Sequence, residues 1–390
     1  MIPEYYQFYC PVKILSGFGA LSNLPYEMDL LGARRALIVT DQGVAGAGLV
    51  DRVMRALEGS QCEIGAIFDQ TPPDSSSNVV NNVAKFFVEK GCDCFLAVGG
   101  GSSMDTAKCA NMVISEGTND LMNLQGAERV KKRLKPFIAV PTTAGTGSEV
   151  TLAAVIYDEE AKVKMAFTSQ RLLPDIAVLD PKMTLTMPPG ITAATGMDAL
   201  THAIEAYYCL QKNPVSDSFA VAAIRLVMDN LTRCVENGKD ETARLAMANA
   251  ALLAGISFSN SMCGVVHSVS HACGSVCRVP HGVANGILLP WGMENNLDKV
   301  GETIAELAPL LGAAASGGPA EQAKAAIQAV RDLGARLNEM CGLPNTLREA
   351  GVTEDKIETI ARTAINDGAT IYNPEDVTYD VALDILRKAY

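Results

Sequence analysis

The feature that most constrains this chain is a change of pattern at MPPG (Met187 to Gly190). Before it, short β-branched runs alternate with longer stretches of helical periodicity. After it those runs disappear, and Ala, Leu and Met recur at helical spacing to the end. Alternation of strand and helix patterns marks an α/β layer with a mostly parallel sheet, and a Pro-Pro-Gly stop at a change of composition marks a domain boundary. The expectation is therefore an α/β domain over residues 1–187 and an all-helical domain over residues 188–390. A chain of 390 residues, 48% of them hydrophobic, is long enough for two cores.

The clearest strands are ALIVT (Ala36 to Thr40), CFLAV (Cys94 to Val98) and FIAV (Phe137 to Val140), each followed at once by turn residues. Open α/β sheets bind ligands at the carboxyl ends of their strands, so those turns are the candidate binding elements. The aromatic alternation in MIPEYYQFYCPV reads as an edge strand and lacks the basic and apolar regions of a secretory signal. The uncharged stretch from Leu245 to Cys263 is diluted by Asn249, Gly255 and four further small polar residues, and reads as a buried core helix rather than a membrane span. AAASGGPAEQAKAA, near Ala313, reads as a loop opening a helix. The net charge of -12, with no basic run longer than Lys131 to Arg133, argues against a nucleic-acid partner. Eleven irregularly spaced cysteines read as reduced thiols of a cytoplasmic protein.

Only four histidines occur: His202, His267, His271 and His281. Asp198 and His202 are four apart in a helical pattern, as are His267 and His271, and such pairs share one helix face. His281 follows Pro280 at the head of another apolar segment. A carboxylate and imidazoles from three segments could meet on one metal ion. Cys273 and Cys277 lie between the histidines and offer thiolates as alternatives to a simpler role as small buried residues. Thr195, three residues before Asp198, resembles a capping box at a helix start.

Three turns carry chemistry in the first half. In VGGGSSMDTAK, Gly99, Gly100 and Gly101 close a strand and Ser102 opens a helix, which suits a phosphate approaching free amides, although the spacing of the common dinucleotide fingerprint is absent. Asp41 ends the strand ALIVT, where a carboxylate can bind ribose hydroxyls and repel a 2′-phosphate, or simply start the turn completed by Gly43. PTTAGTGSEVT (Pro141 to Thr151) offers five hydroxyls and two glycines with Glu149 as its single charge, the pattern of a loop wrapped around a polar ligand.

Taken together, VGGGSSMDTAK, AVPTTAGTGSEVT, GMDALTHAIEAY, the VH…H…PHG…N…LLP segment and CGLPNTLREAGV with NPEDVT resemble the iron-containing, or group III, alcohol dehydrogenases, within the group that also holds glycerol dehydrogenase and dehydroquinate synthase. The resemblance covers nearly the whole chain. It implies an α/β N-terminal dinucleotide-binding domain, an all-α C-terminal metal-binding domain and an active site in the cleft between them. It implies that Asp198, His202, His267 and His281 bind one divalent ion, Fe2+ or Zn2+, and that His271 lies near the nicotinamide outside that ligand set. Asp41, Gly99, Gly100, Gly101, Ser102, Asp105, Thr142, Thr143, Thr146, Ser148 and Lys164 fall at positions that contact NAD(H), and Phe258 at an aromatic of the substrate cleft. The departures are Thr71 in QTPPDSSS, Cys263 where a leucine is common, and Trp291 after Pro290.

The implied activity is hydride transfer between NAD(H) and a small primary alcohol, diol or short aldehyde, with His271 as the candidate proton relay. Two other readings are a glycerol dehydrogenase-like or dehydroquinate synthase-like enzyme and a non-catalytic nucleotide or metal sensor. A cytoplasmic homo-oligomer, a dimer or higher, is expected, with the N-terminal aromatic strand as its contact and no membrane partner.

Overall fold

The runs at Ala36, Cys94 and Phe137 form the middle of a parallel sheet in the computed structural model, which describes residues 3–160, 163–313 and 316–390. Nine strands occur among the described residues: β1 (Lys13–Ser16), β2 (Arg35–Val39), β3 (Glu63–Phe68), β4 (Cys94–Gly99), β5 (Gly126–Ala127), β6 (Phe137–Pro141), β7 (Ala153–Asp158), β8 (Val163–Thr168) and β9 (Ile176–Leu179). Six of them form one sheet in the order β1-β9-β6-β4-β2-β3, and every pairing in it is parallel. Five helices accompany it: α1 (Leu24–Leu30), α2 (Gln42–Gly46), α3 (Leu49–Leu57), α4 (Ser77–Glu89) and α5 (Gly101–Glu116).

Period-2 alternation assigns each strand residue to one of two cores. Ala36, Ile38, Leu96, Val98 and Ile138 pack with Leu24 of α1 and Val53 of α3. Leu37, Val39, Phe95, Ala97 and Ala139 pack with Val80 of α4 and Met104 of α5. Both faces are covered, which is why the central strands read as continuous apolar runs.

The second sheet, β5-β8-β7, was not among the expected strands. β7 and β8 pair antiparallel from Ala153↔Thr168 to Asp158↔Val163. Alternating apolar residues on either side of an acidic turn carried the signal.

The N-terminal segment corrects another expectation. Met1 and Ile2 lie outside the described residues, and among the described residues no strand precedes Lys13. Tyr5 is 83% exposed, while Phe8 stacks on Phe219 at 5.7 Å. Phe8 thus packs on a helix while Tyr5, Tyr6 and Tyr9 are exposed, and the alternation does not mark a hydrogen-bonded ladder.

The contacts of the chain divide into two compact units, Tyr9–Met187 and Pro188–Tyr390, the latter joined by the segment that ends at Phe8. The second unit is helical: α6 (Pro189–Tyr208), α7 (Pro214–Glu236), α8 (Glu241–Ser261), α9 (Val265–Cys277), α10 (His281–Asn295), α11 (Leu297–Ala305) and α12 (Pro319–Cys341), followed by shorter helices. Thr195 is not a cap. Helix α6 starts at Pro189, whose fixed φ and missing N–H suit a first helical position, and Thr195 lies inside it, donating to the Ile191 carbonyl at 2.9 Å. Of the segment expected to open α12 as a loop, Ala314 and Ala315 lie outside the described residues. No single helix is long and apolar enough to cross a membrane among the described residues; α8 and α9 reach that length only as a pair bent by 106°. Helix α8 is a core helix, with Ala250, Leu252, Ala254 and Ile256 buried.

Candidate metal and dinucleotide sites

Three helices of the second unit carry the histidines to one point. Helix α6 presents Asp198 and His202 one turn apart, α9 presents His267, and α10 begins at His281. The close approach of α10 to α6 depends on Gly282, where a Cβ would stand 2.4 Å from the Ala194 carbonyl oxygen. One ligand atom from each of Asp198, His202, His267 and His281 lies within 4.8 Å of all the others. His281 Nε2 is 3.5 Å and His202 Nδ1 3.9 Å from Asp198 Oδ1. Asp198, His202 and His267 are buried, while the His281 side chain is 28% exposed, so access is from the His281 side.

This donor set fits a divalent ion. Imidazole and carboxylate both suit iron and zinc, and these four residues would supply either ion with nitrogen and oxygen donors. Burial pushes the Asp198 carboxyl up to about 6, against the opposing pull of His267 and an Asn285 hydrogen bond. A dication among the four would reverse that shift, because it binds the charged carboxylate. Burial also opposes charge on His267, but Glu205, Asp198 and Asp367 outweigh it and hold its pKa above the ordinary value.

Two of the imidazoles are held from behind. His267 Nδ1 meets Glu205 Oε2 at 2.5 Å, and His281 Nδ1 lies 3.2 Å from Ser270 Oγ. Both rings therefore turn Nε2 inward, towards the Asn285 amide nitrogen at 3.3 and 3.1 Å. That nitrogen also donates to Asp198 Oδ1 at 2.7 Å. Phe258 stacks on His202 with ring centroids 4.2 Å apart.

His271 stands apart from the converging four. It shares a face with His267, yet its ring stacks on His281 at 5.2 Å and its Nδ1 bonds Asp367 Oδ2 at 2.8 Å. The two cysteines between the histidines do not join the cluster; Cys273 is buried and Cys277 partly exposed. Cys263 lies on the far side of His267, near Glu205. Trp291 is covered by the Arg331 guanidinium, 4.5 Å from its ring centroid, which occupies it in packing.

In the first unit the three candidate turns follow β2, β4 and β6, which are neighbours, so they meet at one sheet edge. Asp41 caps α2, with Oδ1 accepting from Val44 N at 2.9 Å. Asp41 Oδ2 lies 3.8 Å from where a Gly99 Cβ would be. Gly100 and Gly101 leave room for the protein's own Thr143 and Thr146, which a Cβ would meet at 3.1 and 3.0 Å. Gly100 brings no side chain to the first amides of α5, so that end remains suited to an anion. Asp105 is committed to the scaffold: its oxygens accept from Ser148 Oγ at 2.8 Å and Val155 N at 2.9 Å. Lys164 pairs with Asp74 at 2.6 Å, and Thr142 is buried with its amide on the Gly99 carbonyl. Ser102 Oγ accepts from Asp74 N at 3.3 Å. Thr71 is buried, with its amide 3.3 Å from the Thr40 carbonyl.

Two family profiles match: "Iron-containing alcohol dehydrogenase" over residues 11–181 and "Fe-containing alcohol dehydrogenase family, C-terminal" over residues 192–390. The chain belongs to the iron-containing alcohol dehydrogenase family. It is 38% identical to the NAD-dependent methanol dehydrogenase of Bacillus methanolicus, over 98% of this chain and 99% of that one. It is likewise 38% identical to the 1,3-propanediol dehydrogenase of Klebsiella pneumoniae, over 96% of each. Among solved structures it superposes on a 1,3-propanediol oxidoreductase with a TM-score of 0.94 at 38% identity, covering 99% of this chain and 100% of that one. This iron-containing alcohol dehydrogenase is thus an oxidoreductase built on the family's α/β and helical units.

Sequence reasoning passed over Glu205, Asn285 and Asp367. The first two had a signal, since Glu205 is three residues after His202 on α6 and Asn285 four after His281 on α10. Asp367 had none, being 96 residues from His271.

Proposed function

We propose that Asp198, His202, His267 and His281 hold one divalent ion, iron in preference to zinc, and that the chain oxidises a small primary alcohol or diol, or reduces a short aldehyde, with NAD(H). The observation that carries this reading is the convergence of those four donors, three of them buried, within 4.8 Å. The ion would polarise the substrate oxygen as a Lewis acid, and the dinucleotide would carry the hydride.

The chain's own residues do the rest. Glu205 and Ser270 orient the His267 and His281 rings. Phe258 lies against His202 and presents an apolar wall suited to a short carbon chain. His271 is our candidate for taking the proton. Its Nδ1 is engaged by Asp367, so Nε2 is its free basic position. Asp41, Gly99 to Ser102 and the Thr142 to Ser148 loop form the dinucleotide floor, with Asp105 and Lys164 fastening that floor from beneath. A reducing compartment, the cytoplasm, is supported by eleven unpaired cysteines. A homo-oligomer is supported by the terminal place of β1 in the sheet, where Ile14 is 40% exposed.

The test follows reduced-nicotinamide absorbance with a panel of short aldehydes and alcohols, using protein reconstituted anaerobically with ferrous iron or with zinc. Turnover with NADH that depends on the added metal is expected. No oxidation or reduction with any member of the panel would sink the assignment.

A further inference from the structure

We propose that Glu205 is a positioning residue for the metal centre, holding the proton of His267 on Nδ1 so that Nε2 keeps the lone pair a cation needs. The inference rests on the four-donor reading above.

Glu205 is fully buried and lies on α6 beyond Asp198 and His202, at spacings of seven and three residues, so the three acidic and imidazole groups run along one helix face. A buried carboxylate is tolerated only when it is hydrogen-bonded. Here Oε1 accepts from Val266 N at 2.8 Å, and Oε2 accepts from His267 Nδ1 at 2.5 Å and His267 N at 3.4 Å. Helix α9 has no cap of its own, because its N-cap is Gly264, where a Cβ would stand 3.2 Å from Glu205 Oε1. Its first amide, Val265 N, is taken by Asn373 Oδ1 at 3.1 Å, and the next by Glu205. One carboxylate therefore starts the helix that carries His267 and also faces that histidine's ring.

An ionised carboxylate only accepts hydrogen bonds, so the ring nitrogen facing it must be the N–H. An imidazole that binds a cation is neutral and keeps a single N–H, which leaves Nε2, the nitrogen on the Asp198 side, as the donor to the ion. Cys263 also approaches Glu205 and His267 closely enough to suggest a second ion. Glu205 Oε2 and His267 Nδ1 already bond each other, however, which leaves the thiol alone as a donor.

Glu205→Gln separates the cap from the tautomer. Four donors face this side chain, the amides of Val266 and His267, the His267 ring and, at 3.5 Å, the Tyr208 hydroxyl, and a glutamine has one acceptor oxygen. The backbone amides cannot give up their hydrogens, whereas the imidazole can move its own to Nε2. The glutamine oxygen therefore stays with Val266, its NH2 faces Nδ1, and an N–H is turned into the metal site. The competition of metal-stripped protein with a chromogenic chelator for Zn2+ and Co2+ should show affinity reduced ~10–100-fold, the range for loss of such partners, with wild-type far-UV circular dichroism and thermal midpoint. His267→Ala is the reference. Weak binding by Glu205→Gln and His267→Ala, against one ion per wild-type chain, supports the proposal. Wild-type affinity in Glu205→Gln beside weak binding in His267→Ala overturns the role of Glu205 alone. Equal binding by wild type and His267→Ala overturns the four-donor reading instead. Two ions per wild-type chain, one of them lost in Glu205→Gln, makes Glu205 a ligand and overturns the proposal. If the variant does not fold, 15N-histidine labelling of the zinc-loaded wild type decides, because there are only four histidines. An exchange-protected, strongly downfield proton on His267 Nδ1 is expected, and its absence overturns the proposal.

Discussion

Gly282→Ala tests whether the metal site depends on how closely two helices pack. A Cβ at residue 282 would stand 2.4 Å from the Ala194 carbonyl oxygen, and ordinary contacts begin at 3.4 Å, so α10 must retreat from α6 by about 1 Å. The obstacle is backbone, which has no rotamer to change. Overpacking of this kind costs about 1–3 kcal/mol, offset by the roughly 1 kcal/mol that alanine gains over glycine in a helix. The thermal midpoint should therefore fall only slightly. Metal affinity should fall much further, because His281 is the neighbouring residue and Asp198 lies one turn from Ala194; a displacement of about 1 Å can cost ~100-fold in a preorganised site. Gly286→Ala, one turn along α10, supplies the control. Its Cβ would meet the Met197 side chain at 3.1 Å, an overlap of a few tenths of an ångström against about 1 Å at residue 282. Chelator competition on metal-stripped protein reads the affinities. If Gly282→Ala binds zinc as tightly as Gly286→Ala, helix approach does not set this site.

Asp41→Gly should raise activity with NADP relative to NAD; the cap on α2 is lost, but glycine in place of a capping aspartate costs only a few tenths of a kcal/mol, so an unchanged NAD preference would refute the role of Asp41. His271→Ala should lower kcat by roughly 100-fold, within the range for general acid–base groups, with metal content unchanged; an unaltered kcat removes His271 from the proton path, and Asp367→Asn should lower kcat in the same direction through the lost ring orientation. Glu149→Gln tests burial in the first unit. Burial pushes the Glu149 carboxyl up to about 7 from its ordinary value of 4.5, with Lys108 nearby opposing that shift. A raised carboxyl pKa means stability that is full below 4.5 and is lost as pH rises through about 7, an effect of at most roughly 3 kcal/mol at 1.36 kcal/mol per unit. Glutamine should therefore gain on wild type between pH 5 and pH 8 in urea unfolding, and a difference that stays flat across that range would refute the burial argument.

Much of this was legible in the sequence because it depends on short-range pattern. The strand runs at Ala36, Cys94 and Phe137 are buried on both faces, so no polar alternation obscures them, and the i, i+4 pair Asp198 and His202 needs only a helix to converge. The misread elements have two different causes. The tyrosines and phenylalanine of the N-terminus alternate as a strand would, but period 2 in side chains does not supply a hydrogen-bonding neighbour, and Phe8 found Phe219 instead. Thr195 has the spacing of a capping box, yet Pro189 starts the helix earlier and leaves that threonine in its interior.

What local pattern could not show is which histidine leaves the ligand set. His267 and His271 occupy equivalent positions on one helix face, and nothing within α9 distinguishes them. The difference comes from their partners. Glu205, on α6, takes His267 Nδ1 and turns Nε2 towards Asp198; Asp367, near the carboxyl end, takes His271 Nδ1 and leaves its ring stacked on His281. Carboxylates 62 and 96 residues away thus give two like side chains different places. If those carboxylates make the distinction, Glu205→Gln should weaken metal binding and Asp367→Asn should not. Equal losses of zinc affinity in the two variants would mean that the helix, not its distant partners, sorts the histidines.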